Sequence, residues 1–169
     1  MGNTDKFEMI ANIYDTSERI QIAKVSSNAI REYVVDAKRK NAIDFGCGTG
    51  LVGMDLLNDF KSILFLDTSQ NMIHQIEQKI SSSNIQNAAT LCFDFEKDSL
   101  SDLHADYIFM AQVLLHINDV ELVLSRLYEV IFNLKLFMLE VKFSWGMMHL
   151  CLFLILRNRA SNISFRYWI

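Results

Sequence analysis

The sequence predicts an α/β fold: a mainly parallel sheet of about five strands with helices on both faces. Three observations predict it. From residue 42 onward, short apolar runs alternate with segments of helical period, the pattern of βαβ units. Four of the six glycines fall between Gly46 and Gly53, at the end of the first such run. Asp67 and Asp94 close the next two runs, at strand ends where open sheets bind ligands.

In chain order, Ser17 to about Lys40 reads as a helix, with Ile22, Ala23, Ala29, Ile30, Tyr33, Val34 and Ala37 on one face and Ser26 filling its one polar step. Ala42–Phe45 is a buried strand. Leu51 to Phe60 is a helix, and Ser62–Leu66 a second strand ending at Asp67. Ser69 or Thr68 caps a helix running to about Ile80. Ala88–Phe93 is a third strand, Asp106–Ala111 a fourth, and Asp119 to about Phe132 a helix with Val120, Val123, Leu124, Leu127 and Ile131 on one face. Leu136–Phe143 serves as a fifth strand.

The chain has 169 residues, 51% of them apolar and 21% charged, which suits one domain with a sizeable core. A net charge of −4 argues against a nucleic-acid partner held by bulk electrostatics. Proline is absent, where average usage gives roughly eight. The cysteines Cys47, Cys92 and Cys151 have no metal-ligand spacing, and His74, His104, His116 and His149 do not complete one. No metal site is expected, and reduced thiols suit a cytoplasmic protein. The polar start, Met-Gly-Asn-Thr-Asp-Lys, has no apolar signal region, and Lys6 fails the Ser/Thr requirement of a myristoylation motif.

Function is sought in the string Asp44-Phe45-Gly46-Cys47-Gly48-Thr49-Gly50. Glycines there let the backbone turn tightly and approach a ligand. The helix start beyond them offers N–H groups to an anionic or carboxylate group. Gly48-Thr49-Gly50-Leu51-Val52-Gly53 also matches the dinucleotide fingerprint. In that fingerprint the first glycine follows the strand directly, whereas here Gly46 and Cys47 intervene. The dinucleotide reading also leaves the buried-strand acid Asp44 without a partner, which a cationic amino group would supply. Each residue has a plainer reading as well: Asp67 as a helix cap, Asp94 as part of a solvated acidic stretch with Glu96, Asp98 and Asp102, His116 and Met72 as packing residues.

The D-x-G-x-G-x-G string after a first strand resembles motif I of the class I S-adenosylmethionine-dependent methyltransferases, a Rossmann-like fold. The resemblance covers residues from about 7 to 132. It implies that S-adenosylmethionine is the cofactor, bound through Asp44, Gly46, Cys47, Gly48 and Gly50. Asp67, with Thr68 beside it, matches the acid that binds the two ribose hydroxyls. Met72 falls where the family packs an apolar side chain on adenine, and Asp94 with Phe95 resembles its adenine-contacting acid and neighbour. The segment Ala111-Gln112-Val113-Leu114-Leu115-His116 resembles the stretch after strand four in small-molecule methyltransferases. Tyr14-Asp15 looks like the Tyr-Asp element that folds over the cofactor. His116 and Tyr14 are the catalytic candidates, although methyl transfer from a sulfonium needs little acid–base machinery beyond alignment. The implied reaction is methyl transfer to a small-molecule acceptor. The alternatives are a non-catalytic cofactor-binding or regulatory module on the same fold, and an NAD-type oxidoreductase.

The resemblance fails toward the end of the chain. Residues 1–132 carry 11 bases and 19 acids, a net of −8, whereas residues 133–169 carry five bases against Glu140 alone. Ser144–Leu156 is almost wholly apolar, and no strand-helix-strand-strand order is visible in what remains. The sequence therefore divides into a methyltransferase-like domain over 1–143 and an atypical apolar and basic tail over 144–169, with about five strands where the family has seven. A truncated or frame-altered end explains this best. A membrane-associated or partner-docking tail and a compact closing helix are the alternatives; the 13-residue run is too short to span a bilayer of ~30 Å as a helix. A sheet that stops at five strands leaves an edge open to dimerisation.

Overall fold

The computed structural model describes residues 4–99, 103–144, 147–157 and 164–166. A seven-stranded sheet has the order β3-β2-β1-β4-β5-β6-β7. Its strands are β1 (Asn41–Phe45), β2 (Ser62–Asp67), β3 (Ala88–Cys92), β4 (Ala105–Ala111), β5 (Ile131–Ser144), β6 (Met147–Arg157) and β7 (Ser164–Arg166). The pairs from β3 through β5 are parallel, and β5·β6 and β6·β7 are antiparallel. The helices are α1 (Thr4–Ile10), α2 (Ser17–Arg31), α3 (Leu51–Leu56), α4 (Gln70–Ser82) and α5 (Val120–Val130).

Strands β1, β2 and β4 are buried on both faces, and their side chains sort by parity. Ile43, Phe45, Leu66, Ile108 and Met110 pack with Val123 and Leu127 of α5. Ala42, Ile63, Phe65, Tyr107 and Phe109 pack on the other face with Ile30 of α2, Leu56 of α3 and Ile76 of α4. Helices thus cover both faces, as the alternating pattern requires. The chain runs from β1 outward to β3 and then returns to place β4 on the other side of β1. Strand order reverses there, which opens a crevice between the ends of β1 and β4.

Side-chain hydroxyls cap α2 and α4, the second as the sequence predicts. Thr16 accepts from the Arg19 amide at 3.3 Å, and Ser69 from the Met72 amide at 3.2 Å. The helix expected to reach Lys40 instead ends at Arg31. The buried Tyr107 hydroxyl donates to the Val35 carbonyl at 2.8 Å and accepts from the Val35 amide at 3.2 Å. Asp36 then turns left-handed, with φ 56°. That tertiary tether, together with the low helix propensity of adjacent Val34 and Val35, outweighs the apolar periodicity. The helix expected to reach Phe60 ends at Leu56 and gives way to turns.

The parallel part of the sheet holds the five strands expected. Beyond it β6 and β7 extend the sheet by two antiparallel strands, so β5 is a covered strand and not an edge. An unbroken apolar run has no period, which is why Met147–Arg157 does not declare itself as a strand. Among the described residues, no helix is long and apolar enough to cross a membrane.

Candidate functional site

Two clefts open at the β1/β4 crevice, of about 550 and 540 Å³ including space open to solvent. They share Tyr14, Gly46, Gly48, Ala111 and Gln112 as lining. The first is completed by Thr4, Phe7, Asp67, Thr68, Val113 and His116. The second is completed by Arg19, Ile22, Ala23 and Ser26 of α2 and by Cys47, Thr49, Leu51 and Val52. Asp67 is the one carboxylate and Arg19 the one guanidinium or ammonium in these two linings.

The loop between β1 and α3 holds Gly46, Gly48 and Gly50 at φ of 64°, 54° and 81°, the left-handed region that disfavours side chains. Gly46 is also pressed on Val113, whose Cγ2 would stand 2.6 Å from an added Cβ. The loop therefore fits closely beneath the segment after β4, where Gln112 is itself left-handed at φ 58°.

Asp67 ends β2 with both carboxylate oxygens engaged: Oδ2 accepts from the Gly48 amide at 2.8 Å and Oδ1 from the Ser69 amide at 2.9 Å. Burial raises its pKa against the opposing effect of these amides. Each oxygen keeps further lone-pair capacity toward the cleft. Asp67 is thus pinned by the glycine loop as well as by its own helix cap.

Tyr14 lies over Gly48, its Cε1 3.7 Å from where a Cβ would be. Arg19 stacks on the ring at 4.1 Å from its centroid and donates from Nη1 to the Tyr14 carbonyl at 2.9 Å. Burial raises the Tyr14 pKa, while Arg19 acts in the opposite sense. Phe7 of α1 meets Tyr14 edge-on at 6.3 Å and His116 at 4.9 Å. Burial, with Lys6 adding to it, lowers the His116 pKa, so the imidazole is neutral at pH 7. Its ring nitrogens have no hydrogen-bond partner among the described residues.

Seven of the twelve residues expected to bind cofactor line these clefts: Tyr14, Gly46, Cys47, Gly48, Asp67, Thr68 and Ala111. Asp44, Gly50, Met72, Asp94 and Phe95 do not. Asp44 faces α3, where its Oδ2 accepts from the Gly53 amide at 3.0 Å. That backbone N–H gives the buried carboxyl a partner within the chain, and burial pushes its pKa up to about 8. Gly50 caps α3 against Ile76 and Phe65. Met72 is fully buried. Phe95 is buried edge-on to Phe45 and Phe93 at 4.6 and 5.0 Å. Burial alone would raise Asp94, but the Lys97 ammonium at 2.9 Å and the Glu96 amide outweigh it and hold the carboxylate below its usual range. Burial also raises the Cys47 thiol well above its ordinary pKa, so it is no ready nucleophile.

Sequence reasoning missed Thr4, Phe7, Arg19 and the α2 face Ile22–Ser26 as lining residues. Ser26 was visible as the polar step on an apolar face. It donates to the Ile22 carbonyl at 3.0 Å and borders the second cleft.

The size of the clefts suits a cofactor-sized ligand, and the residues at the crevice fit a nucleoside bearing an amino-acid tail. Gly48 leaves the loop without a side chain beneath the ring of Tyr14, and Asp67 offers acceptors at one end. Met72, Asp94 and Phe95, expected on adenine, are not among the residues that line the two clefts.

A sequence model of the family described as a methyltransferase domain matches residues 43–132, more than half of the chain. No curated protein matches the sequence. A SAM-dependent methyltransferase from Aquifex aeolicus superposes with a TM-score of 0.67 at 17% identity, over 81% of this chain and 73% of that one. A putative S-adenosyl-L-methionine-dependent methyltransferase from Methanococcus maripaludis gives 0.62 at 21% identity, over 81% and 62%. Coclaurine N-methyltransferase bound to N-methylheliamine and SAH gives 0.60 at 21% identity, over 71% of this chain. This chain spans 36% of the coclaurine enzyme's length. The chain belongs to the methyltransferase-domain family, with the fold of the class I S-adenosylmethionine-dependent enzymes.

Proposed function

We propose that the chain binds S-adenosylmethionine across the two joined clefts and transfers its methyl group to a small-molecule acceptor. The observation that carries this reading is the charge arrangement at the crevice. A carboxylate, Asp67, lines one cleft, a guanidinium, Arg19, lines the other, and the glycine loop runs between them. That suits a ligand with a diol at one end and a carboxylate at the other.

The cofactor supplies a methyl group on a sulfonium whose departure leaves a neutral sulfide. The chain's own residues bind and orient. Asp67 accepts from the ribose hydroxyls, with Thr68 beside it; Gly46, Cys47, Gly48 and Ala111 form the floor, and Tyr14 the cover. His116, its ring nitrogens without a hydrogen-bond partner among the described residues and its pKa lowered by burial, accepts the proton that an alcohol, phenol or amine acceptor gives up. Phe7 and Val113 give that side of the cleft an apolar wall, which favours an acceptor with an apolar or aromatic body.

A second reading, a binding module without turnover, is favoured by one observation: Met72, Asp94 and Phe95 stand away from the clefts. Calorimetric titration with S-adenosylhomocysteine, with NAD in parallel, tests both readings. Micromolar binding of the first alone is expected, and Asp67→Ala weakens it about 10- to 100-fold through loss of charge-assisted hydrogen bonds. Binding of NAD alone, or an unchanged affinity in Asp67→Ala, refutes the assignment. A chain that binds the homocysteine nucleoside but methylates no panel of amines, phenols and acids is the module.

A further inference from the structure

The segment ahead of α2 contributes Thr4, Phe7 and Tyr14 to the clefts, and one small network fixes its inner end. Asp15 Oδ1 accepts from the Thr49 hydroxyl, while Oδ2 accepts from Lys79 Nζ at 2.8 Å. The same ammonium donates to the Thr49 carbonyl at 2.7 Å. One lysine on α4 therefore joins the segment before α2 to the glycine loop. Thr49, almost wholly buried, is held at both its backbone and its side chain.

We propose that Asp15 and Lys79 are positioning residues: together they set Tyr14 over Gly48 and so determine how tightly the cofactor is held. The proposal rests on the cofactor reading above. Stability does not explain the network, because both side chains are one-third exposed, and ion pairs of that exposure contribute little to folding. Position does. Asp15 directly follows Tyr14, and its anchor lies one residue beyond Gly48, the residue that Tyr14 covers. Arg19 stacks on the same ring, but among the described residues only Asp15 links the Tyr14 backbone to the glycine loop, through Thr49 and Lys79. Glu8 also ties the segment to α4, accepting from the Asn71 amide at 3.2 Å. Asn12 does the same, its Oδ1 accepting from Gln75 Nε2 at 2.7 Å; both contacts join the segment to α4 alone, whereas the Asp15–Lys79 network also reaches the glycine loop through Thr49.

The test compares Lys79→Met, Lys79→Arg, Asp15→Asn and the Lys79→Met/Asp15→Asn double variant. The affinity for S-adenosylhomocysteine and the melting temperature are measured for each. Lys79→Met and Asp15→Asn are each expected to weaken binding about 10-fold, and the double variant no further, since they break one device. Lys79→Arg restores most of the affinity. Losses that multiply in the double variant, an unchanged affinity in either single variant, or a loss that follows the melting temperature overturn the proposal. Chymotryptic cleavage at Phe7 and Tyr14 of the ligand-free protein supplies a readout independent of the cofactor. Faster cleavage in Lys79→Met than in the native chain is expected, and equal rates overturn the proposal. Should the native chain bind no S-adenosylhomocysteine, the cofactor reading fails while the cleavage rates still decide the clamp.

Discussion

Replacing Gly53 by alanine tests how closely α3 is set on the sheet beneath the glycine loop. A Cβ at Gly53 would lie 2.4 Å from Phe65 Cε1 and 2.5 Å from Asp44 Oδ2. Neither neighbour has room to give. Phe65 is fully buried on β2 between two parallel partners, and Asp44 is buried on β1 and bonded to the Gly53 amide itself. Two effects oppose each other. Alanine is the better helix former by roughly 1 kcal/mol in a helix interior, and less in a helix of six residues. Forcing a methyl into a filled core costs roughly 1–3 kcal/mol, and leaving the buried Gly53 amide without its acceptor adds a further ~1–3 kcal/mol. The clash wins, with a net destabilisation of about 2–4 kcal/mol. Urea denaturation followed by far-UV circular dichroism measures it, and a fall in melting temperature of roughly 5–15 °C accompanies it. In a Phe65→Leu background, which removes the ring atoms, the same substitution costs less than about half as much. A neutral or stabilising Gly53→Ala, or a penalty unchanged by Phe65→Leu, refutes the packing argument.

The Asp44 carboxyl, held up to about 8 by burial, makes stability depend on pH. The folded chain binds its proton more tightly than the unfolded chain, whose aspartate titrates near 3.9. Stability therefore falls as pH rises from about 4 to about 8. Asp44→Asn keeps an acceptor for Gly53 and removes on the order of a few kcal/mol of that loss; parallel curves for variant and native chain would count against it. Asp67, also raised by burial, leaves a residual slope of the same sign. Tyr107→Phe deletes the hydroxyl that holds Val35, costs about 1–2 kcal/mol and speeds exchange of the Val35 amide; an unchanged exchange rate means the helix stops at Arg31 for another reason. Gly46→Ala drives a methyl into Val113 from a left-handed backbone, so S-adenosylhomocysteine binding should fall at least 10-fold. Retained affinity in calorimetry would show that the loop after β4 yields.

Some of this site is legible in the sequence, because backbone demands leave fixed signatures. Glycines at positive φ and an acid at a strand end declare themselves, and Gly46, Gly48 and Asp67 meet at the crevice accordingly. Parity along β1, β2 and β4 is equally readable, since both faces are buried. What is not readable comes from docking between distant segments. Nothing near Arg19 announces that it will lie over Tyr14, and nothing near Lys79 announces Asp15. Phe95 and Met72 are no more readable: an apolar side chain beside a loop serves equally as core, and both are buried away from the lining of the two clefts. The helix that stops at Arg31 is a further instance, set by a tyrosine hydroxyl 72 positions away from Val35.

Sheet order also governs what happens while the chain is being made. The central strand β1 pairs on one side with β2 and on the other with β4, which ends at Ala111. Everything from β1 through β4 must therefore leave the ribosome before the middle of the sheet can close. The segment before α2 waits too, because Glu8, Asn12 and Asp15 find their partners on α4, some 63 positions later. Non-local pairing of this kind is slow to form. Phe7 and Tyr14 stay unsheltered through that interval, so nascent chains arrested before α4 has emerged should be cleaved there by chymotrypsin, and protection should begin once it has.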